Sequence, residues 1–374
     1  MRWLTRSGRL DRSRSKGEAG PCPAAPSAPI TARAVPRFQR RVPPLTQGEP
    51  VGVPTLDPLD LQIMQALQLD GRAPFSRIAA VLGVSDQTVA RRYRRLRSTV
   101  NVRVLGMTDE NRLGRQSWIV RMHCPPDVAE QLADALAKRP DTLYVNLISG
   151  GTEVVCGMKP RSRKERDELL FDRLQRTRQI VTVTAHCLLH SFYGGPLGRL
   201  NKSNALTAGQ EAALRLPTPV SLDAPVTLDA ADKALLAMLR RDGRATLTDL
   251  RKATGQSESA VTRRLETLRS TGVLYFDVQY DHGPLGQEVG AMLWLTVAPH
   301  ALAEVGRSLA AHPEVHFASA TTGQANIVAS VHFRSPDELY TYLSERIGAL
   351  SGIQAVESAL ILRQVKQLSY EPNR

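Results

Sequence analysis

The sequence predicts an α+β fold in which a helical unit and a mixed α/β unit each occur twice. Two observations support this prediction. Residues 56–99 recur at residues 228–271, offset by 172 positions without a gap and identical at 17 of 44 positions. Agreement at this level indicates an internal duplication. Each copy is followed by the same order of predicted elements, β-α-β-β-α-β, which is the ferredoxin-like arrangement.

The composition is that of a globular protein with excess positive charge. Of its 374 residues, 42% are hydrophobic, and the formal net charge is +13. The charge is uneven, because residues 1–55 carry +7, residues 56–227 carry +7 and residues 228–374 carry −1. Such an excess suggests a polyanionic partner, without separating DNA from RNA or an acidic membrane surface. No run approaches the about 20 apolar residues that cross a bilayer, and no secretory signal is recognisable, so we expect a cytoplasmic protein without a membrane partner.

The first 55 residues differ in composition from the rest of the chain. They are rich in Arg, Pro, Gly and Ala and show no apolar periodicity, which predicts a disordered basic tail. We expect the following division: tail (1–55), helical domain 1 (56–107), α/β domain 1 (108–190), linker (191–227), helical domain 2 (228–280) and α/β domain 2 (281–368). A short helix is expected inside the linker.

The repeated segment has the pattern of three short helices with a tight turn between the second and the third. In the first copy, helix two is predicted over Ser76–Leu82, Gly83 permits the turn and Ser85 can cap helix three. Ala79 is small where the two helices meet, and Val89 follows ten residues later as a buried anchor. These spacings let the two helices cross steeply, which predicts a winged-type helix-turn-helix.

The third helix is the predicted reading element. Val89, Tyr93 and Leu96 share one buried face, so the arginines between them point away and the start of the helix can enter a major groove. From helix position, we predict these contacts with double-stranded DNA: Ser85, Gln87, Thr88, Arg91, Arg92 and Arg95 in the first copy, and Ser257, Ser259, Thr262, Arg263 and Arg264 in the second. The alternative is a packing bundle with solvated arginines, which the recurrence and the basic charge disfavour.

The two copies are predicted to bind DNA unequally. In the second reading helix, Glu258 and Glu266 oppose three arginines, whereas in the first only Asp86 opposes five. Arg251 also stands where the first copy has the small Ala79. Since phosphate neutralisation supplies much of the affinity for DNA, we expect the first unit to bind more strongly and the operator to be asymmetric.

The four cysteines contain no C-x-x-C pair. Cys124, Cys156 and Cys187 lie in strand-like apolar runs, where a free cysteine behaves as a small core residue, and Cys22 lies in the tail. A redox or metal role together with nearby histidines is the alternative, but the spacing matches no zinc signature. We therefore expect core packing, with no metal and no cofactor.

The repeated motifs resemble those of the leucine-responsive regulator/AsnC (Lrp/AsnC) family. They are LDxxD (Leu56–Asp60 and Leu228–Asp232), DGR (Asp70–Arg72 and Asp242–Arg244), LRST (Leu96–Thr99 and Leu268–Thr271) and LG (Leu113–Gly114 and Leu285–Gly286). The resemblance covers nearly all of residues 56–368. It implies helix-turn-helix domains, each followed by a ferredoxin-like (RAM-type) sensing domain, in a sequence-specific transcription regulator. Family members usually carry one unit per chain and dimerise, so it also implies an intramolecular pseudo-dimer with further homo-oligomerisation.

The resemblance also implies a small effector, often an amino acid, bound between sensing domains near a Gly-x-x-Asp turn. The matching pairs here are Gly150 with Glu153 and Gly323 with Asn326, so neither turn keeps the aspartate. Glu153 retains a charge that can meet an ammonium group. The predicted effector-binding residues are Gly150, Gly151, Glu153, Thr322, Gly323 and Asn326. A plain hairpin turn explains the glycines equally well.

Two other functions stay open. An architectural, nucleoid-type DNA-binding protein would suit the basic tail. Sirohaem decarboxylases are similar in architecture, and an enzyme of that kind would be expected to have His-rich strands and loops, whereas the 8 histidines here are scattered. The sequence also contains no Gly-rich phosphate loop, Ser/His/Asp arrangement or H-E-x-x-H motif, so we predict a regulator rather than an enzyme.

Overall fold

The first half of the chain folds as a three-helix unit followed by a β-α-β-β-α-β domain. The computed structural model describes residues 56–174, 177, 179–197 and 199–370, so the predicted tail and Cys22 lie outside the described residues. The elements are α1 (Pro58–Leu69), α2 (Phe75–Leu82), α3 (Asp86–Thr99), β1 (Arg103–Thr108), β2 (Trp118–His123), α4 (Pro126–Ala137), β3 (Thr142–Ile148), β4 (Glu153–Met158), α5 (Arg163–Asp167) and β5 (Thr182–Tyr193). A π-helical segment, Glu168–Leu174, continues α5.

The second half repeats this order after a connecting helix, α6 (Ala208–Leu214). Its elements are α7 (Ala230–Leu239), α8 (Leu247–Thr254), α9 (Glu258–Ser270), β6 (Leu274–Gln279), β7 (Val289–Val297), α10 (Leu302–Ala311), β8 (Val315–Thr321), β9 (Ile327–Phe333), α11 (Pro336–Thr341) and β10 (Ile353–Lys366). The predicted fold class is confirmed: two helix-turn-helix units, each followed by a ferredoxin-like domain.

The strand that follows each third helix pairs with its counterpart in the other half. β1 and β6 form a two-stranded antiparallel ribbon, in which Arg103 lies opposite Gln279 and Thr108 opposite Leu274. Both helical units pack on this ribbon, so their apolar side chains form one continuous core. A lone two-stranded ribbon has little stability of its own, and burial between the two helical units supplies what it lacks.

The two ferredoxin-like sheets join edge to edge. Their strand orders are β3-β4-β2-β5 and β8-β9-β7-β10, and the pairs β5–β8 and β10–β3 close all eight strands into one continuous sheet. β5 and β10, which end at Tyr193 and Lys366, have 12 and 14 residues, whereas the other strands of this sheet have six to nine. The additional residues of β5 and β10 pair with strands of the other domain, and local periodicity does not predict such long-range pairs. The two halves therefore associate within one chain as a pseudo-dimer does.

The predicted linker packs against the first helical unit. Leu206 and Leu214 are buried, and α6 lies against α1 and α2. The fully buried amide of Gln65 organises this contact: its oxygen accepts the Ser203 hydroxyl at 3.0 Å and the backbone N–H of Ala205 at 2.9 Å. Burial of a side-chain amide is tolerated because its polar atoms are hydrogen-bonded.

The described cysteines lie in the sheet cores. Cys124, Cys156 and Cys187 are free and buried, and burial raises the pKa of the Cys156 thiol to about 12. The burial of all three confirms the core-packing prediction for these residues, and a thiol with a pKa as high as that of Cys156 is unreactive at neutral pH. Among the described residues, no helix combines the length and apolarity that a membrane span requires.

Candidate nucleic-acid interface and sensing turns

Both helix-turn-helix units have the predicted turn geometry. Gly83 and Gly255 end their helices in the left-handed region, with φ of 69° and 67°. Ser85 then caps α3 by accepting the Thr88 N–H at 3.2 Å, and Ser257 caps α9 in the same way. A left-handed residue followed by an N-cap lets the chain reverse within a few residues, which leaves the start of each reading helix exposed.

The first LDxxD motif forms a charged cap that reaches the reading helix. Asp57 and Asp60 cap α1 reciprocally, each accepting the other's backbone N–H. Arg92 donates to both carboxylates, and Arg95 donates to Asp60. The Asp60 side chain is fully buried, so these two arginines compensate a charge that water cannot reach.

The second copy repeats the arrangement. Arg264 lies 2.8 Å from both Asp229 and Asp232, and its Nε donates to Gln256 at 2.7 Å. Three of the predicted DNA contacts therefore hold a reading helix against the first helix of the same unit: Arg92, Arg95 and Arg264. Their charges are partly neutralised, and counting every arginine of α3 and α9 overstates the charge that faces solvent.

The other predicted DNA contacts face solvent at the beginning of α3 and α9. Thr88 is half-buried. The remainder are exposed: Ser85, Gln87, Arg91, Ser257, Ser259, Thr262 and Arg263.

The difference in charge between the two reading helices persists when only their exposed residues are considered. On α3, outside the Asp57–Asp60 cluster, the exposed charged residues are Arg91, Arg94, Arg97 and Asp86. On α9, Arg263 is exposed beside Glu258 and Glu266. Arg269 of the same helix adds little exposed charge, since it forms an ion pair with Asp70 of the first unit at 3.2 Å. The first reading surface is therefore strongly positive and the second is not. α8 adds the exposed cations Arg251 and Lys252 beside the second reading helix.

The first sensing turn is a glycine turn next to a buried acid. Gly150 and Gly151 have φ of 70° and 84°, values that favour glycine. Glu153 is almost fully buried and accepts the Ser149 hydroxyl at 3.0 Å. Its carboxylate also forms a bidentate ion pair with Arg121, so the charge that was expected to meet an effector ammonium group already has a cationic partner.

Arg121 links the two sensing domains. From β2 it donates to Glu153 and also to Glu357 on β10 at 2.6 Å, and its guanidinium lies 3.8 Å above the Trp294 ring. Burial alone would lower the pKa of Arg121, but the two carboxylates raise it above its usual range. Arg121, Glu357 and Trp294 are not among the site residues that the sequence predicts. The available signal was an arginine between apolar neighbours within a predicted strand.

The second sensing turn is built differently. The Thr322 hydroxyl accepts the Cys187 N–H at 2.9 Å, and a Cβ added at Gly323 would lie 2.4 Å from Nδ1 of His186. The Asn326 amide both accepts from and donates to the backbone of Val297, at 2.9 and 2.8 Å. Thr322 and Gly323 thus pack against β5, and Asn326 holds β7.

Strand register places Glu153 and Asn326 at equivalent positions of the two turns. Leu147 pairs with Val154 in the first hairpin, and Ala320 pairs with Ile327 in the second. Asn326 thus precedes Ile327 as Glu153 precedes Val154. The second turn has a neutral amide where the first has its buried acid, so the two turns cannot bind the same ligand in the same way.

Parts of the chain match known protein-domain families. Residues 56–97 match the AsnC-type helix-turn-helix domain, and residues 228–275 match a winged helix-turn-helix DNA-binding domain. Residues 290–370 match the Lrp/AsnC ligand binding domain. The matched segments thus fall in both DNA-binding units and in the second sensing domain.

Two transcriptional regulators are similar to part of this chain, and one solved structure is similar to most of it. The HTH-type transcriptional regulator FL11 of Pyrococcus horikoshii is 30% identical over 148 residues, which cover 39% of this chain and 97% of that protein. LrpA of the same organism is 28% identical over 140 residues, covering 37% and 99%. The solved siroheme decarboxylase NirDL matches with a TM-score of 0.57 over 83% of this chain and 93% of that chain, but at 16% identity the likeness is one of fold alone. The chain belongs to the Lrp/AsnC family and is a DNA-binding regulator with a ligand-binding domain.

Proposed function

We propose that this protein is a cytoplasmic, sequence-specific transcription regulator that binds an asymmetric operator as a single-chain pseudo-dimer. The observation that carries the proposal is the joining of two helix-turn-helix units by the β1–β6 ribbon, with unequal reading surfaces. In a symmetric homodimer both reading helices are identical, and the preferred site is palindromic. Here each helix has its own sequence, so each half-site can differ.

The charge of the two surfaces supports a dominant first unit. Arg91 lies in the first turns of α3 among exposed arginines, whereas the equivalent Arg263 on α9 lies beside two acidic residues. Each neutralised phosphate releases counterions and contributes affinity, and acidic neighbours oppose that contribution. The exposed cations of α8, Arg251 and Lys252, favour backbone contacts for the second unit, because the helix before the reading helix crosses the phosphates.

The decisive experiment measures binding of the full chain to DNA upstream of its own gene, with excess competitor DNA at physiological salt. Arg91→Ala and Arg263→Ala are compared with Arg307→Ala, an exposed arginine of α10. We expect Arg91→Ala to cost about 1–3 kcal/mol, Arg263→Ala clearly less and Arg307→Ala nothing measurable.

Each outcome has a definite meaning. Equal losses in Arg91→Ala and Arg263→Ala, or a perfect palindrome as the best site, would keep the regulator and refute the asymmetry. Binding that competitor DNA abolishes for every fragment of a genomic pool would favour the architectural alternative, since specific sites bind roughly a thousandfold or more tightly than bulk DNA.

We further propose that an amino acid or related metabolite binds at the first sensing turn. The support is the charge there: Arg121 can receive an effector carboxylate in place of the largely exposed Glu357, while its ion pair with the buried Glu153 holds the guanidinium in position. A panel of amino acids should include one that raises the Tm of the wild type and not that of Glu153→Gln, with Glu288→Gln as the exposed control. A panel without any shift would refute this part.

Homo-oligomerisation is the remaining proposal. Leu189 on β5, and Leu360 and Leu362 on β10, are large apolar side chains exposed on the last strands of the two sensing domains. Large apolar side chains that are exposed in one chain are candidates for burial in an association interface. We expect light scattering to give a mass above that of one chain, and Leu189→Glu with Leu362→Glu to reduce it. A wild type with the mass of one chain would contradict the proposal.

A further inference from the structure

Three histidines meet where the ribbon joins the second sensing domain. His282 follows β6, His316 lies on β8 and His332 lies on β9, and their ligand nitrogens all lie within 4.8 Å of one another. The rings of His316 and His332 are 4.2 Å apart, and those of His282 and His332 are 4.3 Å apart. The sequence does not show this cluster, because its members are separated by 34 and 16 positions.

The three histidines differ in burial. His316 and His332 are 6% and 8% exposed, whereas His282 is half-buried and opens the cluster to solvent. Nδ1 of His282 lies 3.2 Å from the Gln287 amide oxygen, which only accepts hydrogen bonds. The ring proton of His282 therefore belongs on Nδ1, so Nε2 presents its lone pair. Polar groups that fix a ring in this way are typical of the second shell of metal-binding histidines.

We propose that His282, His316 and His332 bind one divalent transition-metal ion such as Zn²⁺. Neutral imidazole suits Zn²⁺ and the neighbouring transition metals, whereas Mg²⁺ and Ca²⁺ prefer oxygen ligands. Three protein ligands leave a fourth position for water. Zn–N bonds of about 2.0–2.1 Å put tetrahedral ligand nitrogens roughly 3.4 Å apart. The three nitrogens, which lie within 4.8 Å of one another, would reach that spacing by rotation of their side chains.

The first half of the chain has no histidine at the three equivalent positions. The repeat offset places Glu110 at the position of His282, and strand register places Leu143 and Lys159 at those of His316 and His332. These side chains cannot supply three imidazole nitrogens. The stoichiometry is therefore one metal ion per chain, although the fold occurs twice.

The site lies beside the first reading helix. The backbone N–H of Asp281 donates to the carbonyl of Val100, the C-cap residue of α3, at 3.0 Å. An ion held by His282 would thus tie the segment next to α3 to β8 and β9 of the second sensing domain. The bound ion should make residues 280–287 more rigid, a consequence that is independent of any effector at the sensing turns.

The test uses the untagged full chain, stripped with a chelator, reloaded with Zn²⁺ or Co²⁺ and desalted. Metal content by elemental analysis should be one per chain, and Co²⁺ should give the strong visible absorption of tetrahedral coordination. Both signals should fall to background in His282→Ala and in His316→Ala, and stay unchanged in His300→Ala, an exposed histidine of the same domain. Because His316 is buried, far-UV circular dichroism checks the fold, and the half-buried His282 carries the test if His316→Ala unfolds.

Hydrogen exchange supplies a second readout. Zn²⁺ should slow amide exchange across residues 280–287 in the wild type and in His300→Ala, and Mg²⁺ should leave it unchanged. Wild type that retains no more metal than His282→Ala would overturn the proposal. So would tetrahedral Co²⁺ absorption that persists in the His282→Ala variant. Neither result would bear on DNA binding, so this inference and the proposed function can fail separately.

Discussion

Arg72 and Arg244 make reciprocal hydrogen bonds across the junction of the two helix-turn-helix units. Arg72 donates from Nη1 to the Gly243 carbonyl at 2.8 Å, and Arg244 donates from Nη1 to the Gly71 carbonyl at 2.7 Å. Each arginine ends one DGR motif, and each acceptor is the glycine of the other. The motif occurs twice because the same turn is used on both sides of one interface.

Loss of either arginine should destabilise this junction, with Arg244 the more important. Arg244 also donates to the Ala73 carbonyl at 3.0 Å and lies 4.5 Å above the Phe75 ring. We expect Arg244→Ala to lower the free energy of unfolding by about 2–3 kcal/mol and Arg72→Ala by about 1–2 kcal/mol. Urea denaturation measures both, with the exposed Arg241→Ala as a control of unchanged stability. A control as destabilised as Arg244→Ala would contradict the prediction.

Substitutions of neighbouring arginines of α3 should have different effects on stability and on DNA binding. Replacing both Arg92 and Arg95 leaves the buried Asp60 carboxylate without a cation, which should cost about 3–5 kcal/mol of unfolding free energy. Each single replacement should cost less, because the other arginine remains. Arg91→Ala should stay within about 0.5 kcal/mol of the wild type by the same urea titration. A double variant with wild-type stability but weak DNA binding would instead assign Arg92 and Arg95 to the DNA interface.

Gln65 should hold the connecting segment in place. Gln65→Ala removes the acceptor of two backbone N–H groups, those of Ala205 and Leu206, each at 2.9 Å. Because unpaired buried donors are costly, we expect a loss of about 2–3 kcal/mol and faster proteolysis within residues 203–214. Gln62→Ala, on the half-buried side of the same helix, serves as the control. Unchanged proteolysis of Gln65→Ala would show that apolar packing alone holds the segment.

The Arg121–Glu357 pair should make stability sensitive to acid. The hydrogen bond from Arg121 lowers the pKa of Glu357 below its ordinary value of 4.5. A carboxyl group with a depressed folded-state pKa stabilises above its unfolded pKa, and this contribution disappears as pH falls through the folded value. Urea midpoints measured from about pH 5 to pH 3 should therefore fall less steeply in Glu357→Gln than in the wild type. The exposed Glu304→Gln should keep the wild-type slope, and equal slopes in all three proteins would contradict the prediction.

The sequence by itself determined the local elements. Gly83 and Ser85 act within a few residues of their own position, so turn and cap follow from residue type and spacing. The apolar period that buries Val89 and Leu96 likewise follows from helix geometry. The 172-residue repeat then predicted that the second half would fold as the first does.

Tertiary structure decided what the charged residues do. Arg92 resembles Arg91 in the sequence, yet one pairs with Asp57 and Asp60 and the other faces solvent, because a rotation of about 100° per residue places them on different sides of α3. Long-range pairing, which depends on the packing of the whole chain, also decided the β1–β6 ribbon and the extra length of β5 and β10. The same pairing brings together His282, His316 and His332, which no local pattern connects.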